Sequence, residues 1–215
     1  MEIALQPPAF LSVYLGVTLL YPDVELGFRN LGSKANLIYI PDLRGKTVVS
    51  RTKMVSVANV AETVIVTFEY DVCCDGLSFY QGTTQFGYFT PKALSIQKGL
   101  DRGEKVPPWF KRNGLNQADG VEIDLTSPEN RNQYFSVDPT KPSFRLAGEQ
   151  LEFLDSAVIF EKGGQYNQGY VYGFKKVDPS DWFYPCHFYK DPVMPGSLGV
   201  EAILQAVRLF ALQQE

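Results

Sequence analysis

The segment from Asp181 to Gln205 contains the residue types that acid–base chemistry beside a carbonyl group requires. His187 is the only histidine of the chain, and a neutral imidazole, with a pKa of about 6.5, can accept a proton at neutral pH. The turn Gly196–Gly199 follows, and N–H groups at a helix start can stabilise a carbonyl oxygen that gains charge. Glu201 comes next, so these groups could remove a proton beside a carbonyl and expel a hydroxyl group.

A short repeat places a second carboxylate in the same local setting. Glu2 and Gln6 share the pattern Glu-x-x-Leu-Gln with Glu201 and Gln205. Positions four apart share one face of a helix, so each glutamate is predicted to lie beside a glutamine. Burial against an apolar surface would raise the pKa of such a carboxyl group and let it donate a proton.

Each of these residues also has a structural interpretation. His187 could be a hydrogen-bonded core histidine, and each glutamate could complement the dipole of a helix start. Cys186 could act as a thiol nucleophile, although adjacent residues of an extended loop point apart. The aromatic residues around the histidine could line an acyl tunnel or belong to the core. They are Trp182, Phe183, Phe188 and Tyr189.

The first half of the chain is predicted to form a helix followed by strands. Segments rich in β-branched and aromatic residues predict strands at 36–40, 47–57, 63–73 and 78–88. Asp75-Gly76 lies between the last two and predicts a tight hairpin, because such pairs tolerate positive φ. Before them, residues 1–20 predict a helix that Pro7-Pro8 would kink or divide.

The second half gives weaker signals. Residues 92–143 are rich in Gly, Pro, Asn and charge, and they predict a linker with a short helix near 91–98. Strands are predicted at 157–160 and 170–176, on either side of Gly163-Gly164. A final amphipathic helix is predicted at 198–213. Its apolar face would consist of Leu198, Ile203, Val207, Phe210 and Ala211.

Composition argues against several classes of protein. The 215 residues carry a net charge of −4 without a basic run, which argues against a nucleic-acid surface. An odd number of cysteines, three, and a start without a basic signal segment favour a reducing cytoplasm over a disulfide framework. No second Cys/His cluster completes a zinc site, and no apolar run reaches the length of a membrane span, about 18–20 residues.

The segment from about Arg145 to Phe210 resembles bacterial beta-hydroxydecanoyl-ACP dehydratases. The motifs that carry this resemblance are Leu154-Asp155, Gly163-Gly164, Gly169-Tyr170-Val171, Trp182-Phe183, Cys186-His187-Phe188, Asp191–Gly196, Leu198-Gly199 and the spacing of Glu201 and Gln205. The remaining chain resembles the dehydratase region of polyunsaturated fatty acid synthases. Its motifs are Glu2–Pro7, Phe28–Leu31, Leu43–Thr47, Cys74–Gly76, Phe79–Gly82 and Phe86–Phe89.

The resemblance implies an α+β hot-dog fold, in which an antiparallel sheet wraps one long helix, with two such units in tandem. Residues 1–91 would be the C-terminal part of the first unit and residues 92–143 the linker. Residues 144–215 would be the N-terminal part of the second unit, with the histidine loop and the central helix. We therefore expect a piece of a larger polypeptide, truncated at both ends.

The resemblance also implies a reaction, the loss of water from a (3R)-3-hydroxyacyl thioester to give a trans-2-enoyl product, with or without isomerisation of the double bond. His187 would be the base, the N–H of Gly196 the oxyanion donor and Glu2 of the other unit the acid. Glu201 would occupy the equivalent position of a second, pseudo-symmetric site that lacks a histidine. The further substrate-binding residues would be Gln6, Phe188, Pro195, Ser197 and Gln205.

The resemblance further implies that no metal or organic cofactor takes part, because the substrate is carried on the phosphopantetheine of an acyl carrier protein. The partners would be that carrier protein and other synthase domains, in a cytoplasmic homodimer or pseudo-dimer of hot-dog units. Two alternatives stay open. The chain could be an inactive docking module of a fatty acid or polyketide synthase, or a hot-dog thioesterase, which typically uses a carboxylate base.

Overall fold

The computed structural model describes residues 2–99, 102–136 and 145–214. The chain divides into two compact units, residues Met1–Arg102 and Gly103–Glu215. Each unit combines helices with one antiparallel sheet, which has four strands in the first unit and three in the second. The predicted α+β class is confirmed. No helix of the described residues is long and apolar enough to cross a membrane.

In the first unit, one helix lies on a four-stranded sheet. Strands β1 (Gly27–Leu37), β2 (Val48–Val60), β3 (Thr63–Cys74) and β4 (Leu77–Phe89) are arranged in the order β1-β4-β3-β2. All neighbouring pairs are antiparallel. Helix α1 (Glu2–Tyr14) packs on β2 and β3. A helix on an antiparallel sheet is the arrangement that the sequence predicted for this unit.

Strand β3 supplies most of the core under helix α1. Its predicted alternation is confirmed, because every second side chain is buried from Val64 to Val72. Val64, Val66 and Phe68 pack with Leu5 and Ala9 of α1. Tyr70 and Val72 pack with Ala4, so the whole length of the helix is fixed to the sheet.

Helix α1 continues through Pro7 and Pro8 without a break, so a division of the helix at these prolines is wrong. Each proline removes a backbone donor from the helix. Pro8 is buried together with Ala4 and Ser12, which lie one turn before and after it on the same face. Burial of this face against the sheet offsets the lost hydrogen bonds, since tertiary packing supplies most of the stability of short helices.

Strand β1 begins earlier than predicted, at Gly27 instead of residue 36. It is an edge strand of mostly exposed residues, with a register shift between Asn30 and Gly32. The position of β1 follows from its pairing with β4. Strand propensity alone does not predict this position, because propensity depends strongly on the neighbouring strands.

Two tight turns join β2, β3 and β4. The predicted hairpin at Asp75-Gly76 is confirmed, and both residues have positive φ, 52° and 80°. Ala61-Glu62 forms an equally short connection between β2 and β3, with φ values of 48° and 61°. Neither residue of this second turn is a glycine or asparagine, so the sequence gives no signal for it.

The second unit contains a three-stranded sheet in the order β5-β6-β7. The strands are β5 (Val121–Asp124), β6 (Ser156–Phe160) and β7 (Tyr170–Phe174), and helix α5 (Gly196–Leu212) packs on β7. The central strand β6 is buried on both faces. One face contacts a cluster around Phe110, and the other belongs to the main core with Leu209 of α5.

Residues 103–136 differ from the predicted linker, because they form part of the second unit. They contain β5, helix α3 (Trp109–Arg112) and helix α4 (Pro128–Phe135). The second unit therefore begins at 103 and not at 144. The apolar residues among the polar ones explain the difference, since the core includes Phe110, Ile123, Leu125 and Tyr134. The short helix predicted near 91–98 is confirmed as α2 (Pro91–Ser95).

Helix α5 is confirmed, and its predicted apolar face is partly confirmed, because Phe210 packs against the main core of the unit. Its buried residues are Gln205, Ala206 and Leu209, whereas Ile203 and Val207 remain more than half exposed. The close approach to β7 explains this choice. A Cβ atom at Gly173 would lie 3.8 Å from the Cβ atom of Ala206 and 2.8 Å from Leu154, so small residues are required there.

Candidate active site

The candidate base lies in a loop without regular secondary structure, residues 175–195, between β7 and α5. Backbone hydrogen bonds fold this histidine loop tightly. The His187 N–H donates to the Phe183 carbonyl at 2.8 Å, and the Val193 N–H donates to the His187 carbonyl at 2.8 Å. Phe188 and Asp191 close the turn between them, with a 2.9 Å bond from the Phe188 N–H to the Asp191 carbonyl.

The imidazole of His187 has a defined orientation. Its Nδ1 atom lies 2.7 Å from the carbonyl oxygen of Val193. A carbonyl oxygen can only accept, so in the neutral ring Nδ1 carries the proton and Nε2 is the acceptor. The Phe188 ring lies against the imidazole, with 3.9 Å between the ring centroids. A half-buried imidazole with an accepting Nε2 fits a general base.

The start of helix α5 provides the candidate oxyanion donors. Pro195 is the N-cap residue and provides no side-chain cap, so the N–H groups of Gly196 and Ser197 have no partner within the helix. A Cβ atom at Gly196 would meet no atom within 4 Å, and a ligand could therefore approach its backbone closely. Gly196 follows Val193 by three residues, which limits the distance between their Cα atoms to about 11 Å.

Glu201 is held by two neighbours on its own helix. Gln205 donates to Glu201 Oε1 at 3.3 Å, as the repeat predicted, and Arg208 donates to the same oxygen at 3.1 Å. The sequence interpretation missed Arg208, although residues seven apart also share a helix face. The contacts of Glu201 therefore favour its structural interpretation.

Gln205 is almost completely buried, with 1% of its surface exposed. Its Oε1 accepts a 3.0 Å hydrogen bond from the Phe153 N–H, and its Nε2 donates to the Leu151 carbonyl as well as to Glu201. Both amide hydrogens therefore have acceptors within the protein. The side chain contacts the segment before β6, a set of contacts that spacing alone could not indicate.

Glu2 and Gln6 lie on helix α1 in the first unit. Both side chains are exposed, and Glu2 is in the first turn, where its charge complements the helix dipole.

The residues next to His187 face different directions. The Cys186 thiol contacts the Phe183 carbonyl at 3.3 Å, while the imidazole contacts Val193, so the two side chains do not form a thiol–imidazole pair. Phe183 is a core residue with 2% of its surface exposed. Trp182 and Tyr189 are exposed at 46% and 83%, which leaves them available to a ligand.

Within residues 2–99, 102–136 and 145–214, no group of three or more His, Cys, Asp and Glu residues could hold a metal ion.

Comparison with known proteins identifies the class to which this site belongs. Residues 146–215 match the model of the FabA-like domain, a hot-dog dehydratase family. The histidine loop and helix α5 lie within the matched residues. The family and the hot-dog fold predicted from the motifs between Arg145 and Phe210 are therefore confirmed.

A relative extends the similarity to both units. The chain is 36% identical over 217 aligned residues to a polyunsaturated fatty acid synthase subunit of Thraustochytrium sp. (strain ATCC 26185 / S-3). The alignment covers 100% of this chain and 14% of the relative. The predicted resemblance of the first unit to a polyunsaturated fatty acid synthase is thus supported, and the chain spans about a seventh of the relative's length.

Proposed function

We propose that the chain is the dehydratase region of a polyunsaturated fatty acid synthase, which removes water from (3R)-3-hydroxyacyl thioesters. The 2.7 Å hydrogen bond between His187 Nδ1 and the Val193 carbonyl carries this proposal, because it leaves Nε2 as a proton acceptor in a FabA-like domain. The whole chain is 36% identical to a subunit of such a synthase, and this similarity supports a role in fatty acid synthesis.

In the proposed reaction, His187 Nε2 removes a proton from carbon 2 of the acyl chain. The electron pair of that C–H bond forms the double bond between carbons 2 and 3, and the C–O bond at carbon 3 breaks. The departing hydroxyl group takes up a proton and leaves as water. Negative charge grows on the thioester oxygen, and the N–H of Gly196, supported by the helix dipole, would stabilise it.

The acid that protonates the hydroxyl group is Glu2 in this proposal, as the resemblance to the family implies. The surroundings of Glu201 support this choice indirectly, since its Oε1 is bonded to Arg208 and Gln205. Glu2 has the same sequence pattern, but the position that matches Arg208, seven residues after the glutamate, is Ala9.

The substrate is proposed to arrive on the phosphopantetheine arm of an acyl carrier protein, with other synthase domains as neighbours. Exposed aromatic residues of the histidine loop, Trp182 and Tyr189, could contact the acyl chain or its carrier. The chemistry needs only proton transfers, so no metal or organic cofactor is part of the proposal. Three free cysteines suit a reducing cytoplasm.

The test is dehydration of 3-hydroxydecanoyl carrier protein by the 215-residue chain, followed by mass spectrometry of the acyl group. We expect His187→Ala to reduce turnover at least ~100-fold, the lower range for loss of a general base. Cys186→Ala is the matched control and should retain turnover within a factor of about three. Retained activity in His187→Ala would refute the assignment, and carrier-protein binding without turnover would favour a docking module instead.

A further inference from the structure

We propose that Gln205 is a positioning residue, which fixes the histidine loop relative to helix α5 through the segment Gln150–Phe153. The structural role of Gln205 is inferred from contacts within the second unit. Its expected effect on turnover rests on the proposed function. It assigns Gln205 a task other than binding the substrate.

The first step is the contact between the helix and the segment. Gln205 accepts from the Phe153 N–H at 3.0 Å and donates to the Leu151 carbonyl. These two backbone groups belong to one short stretch that leads into β6. Because the amide of Gln205 bonds to both, it sets the distance and the rotation of this stretch relative to α5.

The second step is the contact between the same segment and the histidine loop. The indole N–H of Trp182 donates to the Gln150 carbonyl at 2.9 Å. The rings of Phe153 and Phe183 lie 6.4 Å apart, and both residues are buried. The loop therefore rests on residues 150–153 through one hydrogen bond and one aromatic contact.

The third step leads from the loop to the base. The carbonyl of Phe183 accepts the 2.8 Å hydrogen bond from the His187 N–H. A displacement of Phe183 would therefore move the backbone of His187, and with it the bond between Nδ1 and Val193. Helix α5 also begins with Gly196, so Gln205 links the element that carries the oxyanion donor to the loop that carries the base.

Loss of the amide group would disturb this arrangement locally. The Phe153 N–H and the Leu151 carbonyl would lose their partner next to a side chain that is 1% exposed, and buried polar groups without a partner are costly. The segment would then shift to find other partners. Misplacement of a reacting group by about 1 Å can reduce a rate by about 100-fold.

The experiment compares Gln205→Met with Gln213→Met in the full chain. Methionine has nearly the shape of glutamine and removes only the hydrogen bonds. Gln213 lies next to the end of the same helix and donates to the Tyr134 hydroxyl, so it controls for a general loss of stability in this unit. Trp182→Phe is a second test variant, which removes the indole N–H donated to Gln150.

The readout is the NMR spectrum of protein labelled with ¹⁵N-histidine, in which the two ring nitrogens of the single histidine give unambiguous signals. We expect the Nδ1–H tautomer in the unmodified protein and after Gln213→Met. In Gln205→Met and Trp182→Phe, the Nδ1–H signal should shift and exchange faster with water. Turnover should fall about 10- to 100-fold in kcat, with less than about a threefold change in KM.

An unchanged imidazole signal in both Gln205→Met and Trp182→Phe would overturn the inference, even if turnover falls. If Gln205→Met does not fold, Trp182→Phe decides alone, because Trp182 is 46% exposed and its replacement by another aromatic residue disturbs the core less. The spectrum needs no substrate, so the inference can succeed where the dehydratase proposal fails. An equal change of the signal in Gln213→Met would also refute it, by showing a general loosening of the unit.

Discussion

The two glutamates of the repeat share a sequence pattern but differ in their surroundings. Glu201 is fixed by Arg208 and Gln205, whereas Glu2 is exposed in the first turn of α1. Glu201 Oε1 already accepts hydrogen bonds from two side chains of its own helix, and the family resemblance assigns the role of acid to Glu2. The different neighbours therefore predict different consequences when each carboxyl group is replaced.

We expect Glu2→Gln to reduce kcat for dehydration by about 100-fold or more, because the leaving hydroxyl group loses its proton donor. Glu201→Gln should reduce kcat by less than about tenfold and lower the melting temperature slightly, because it removes only the ion pair with Arg208. Steady-state kinetics with a 3-hydroxyacyl thioester and thermal unfolding measure both effects. The opposite order of the two kcat losses would transfer the role of acid to Glu201.

At this scale the sequence allowed a prediction of residue identities but not of their contacts. His187 was found because it is unique and is followed by a Pro-Gly turn, and the Glu201–Gln205 contact followed from helical spacing. The Val193 carbonyl that orients the imidazole is a backbone group, which any residue type supplies. Gln205 looked like a ligand residue, and only its burial against residues 151 and 153 indicates another role.

Among the elements of the second unit, helix α4 is attached to the segment before β6 by one ion pair. Arg131 donates two hydrogen bonds to Glu152, at 2.8 and 2.7 Å, and the Glu149 N–H donates a third at 2.8 Å. The hydrogen bonds from Arg131 lower the pKa of Glu152 below its ordinary value. Protonation of Glu152 would break this attachment.

The melting temperature of the second unit should therefore depend on pH through Glu152. A carboxyl group whose pKa is lowered by folding adds stability above its unfolded pKa, about 4.3, and loses it as the pH falls through the folded value. We expect the melting temperature to drop below about pH 5, and Arg131→Met to make that decline shallower. Lys111→Met, on an exposed side chain outside this pair, is the control. Parallel declines in all three proteins would contradict this account.

The turn at Ala61-Glu62 offers a prediction about stability in the first unit. Ala61 has a φ of 48°, a conformation that costs non-glycine residues about 1–3 kcal/mol and that asparagine tolerates better. Ala61→Asn should raise the free energy of unfolding by about 0.5–1 kcal/mol. The exposed Ala58 of strand β2 is the control, where asparagine should give no gain. Urea unfolding measures both, and an equal effect at the two positions would exclude strain in the turn as the cause.

Elements with a strong local pattern were predicted correctly, and those set by distant partners were not. Strand β3 alternates clearly and Asp75-Gly76 demands positive φ, so both were found. Strand β1 and strand β5 depend on pairing with β4 and β6, which composition does not reveal. Helix α5 was predicted, but its buried face was predicted only in part, because Gln205 and Ala206 are buried whereas Ile203 and Val207 are exposed.

On the scale of the whole molecule, the chain consists of two units with separate cores. Each buried cluster of the described residues draws its members from one unit only. The described residues around the boundary, 96–99 and 102–108, contain no helix or strand and are mostly exposed. Exposed segments without hydrogen-bonded secondary structure are the preferred sites of proteolysis.

We therefore expect trypsin to cleave early after Lys98, Arg102 or Lys105 in this boundary segment. Arg44 and Lys46, in the exposed stretch between β1 and β2, should be cut as well. Arg51 and Lys53 of strand β2 are protected by backbone pairing with β3. Mass spectrometry of a time course locates the cuts, and a chain with glutamine at positions 98, 102 and 105 should lose only those at the boundary. First cuts within β2, β3, β4 or helix α5 would show that stability is lowest within a unit, which the separate cores argue against.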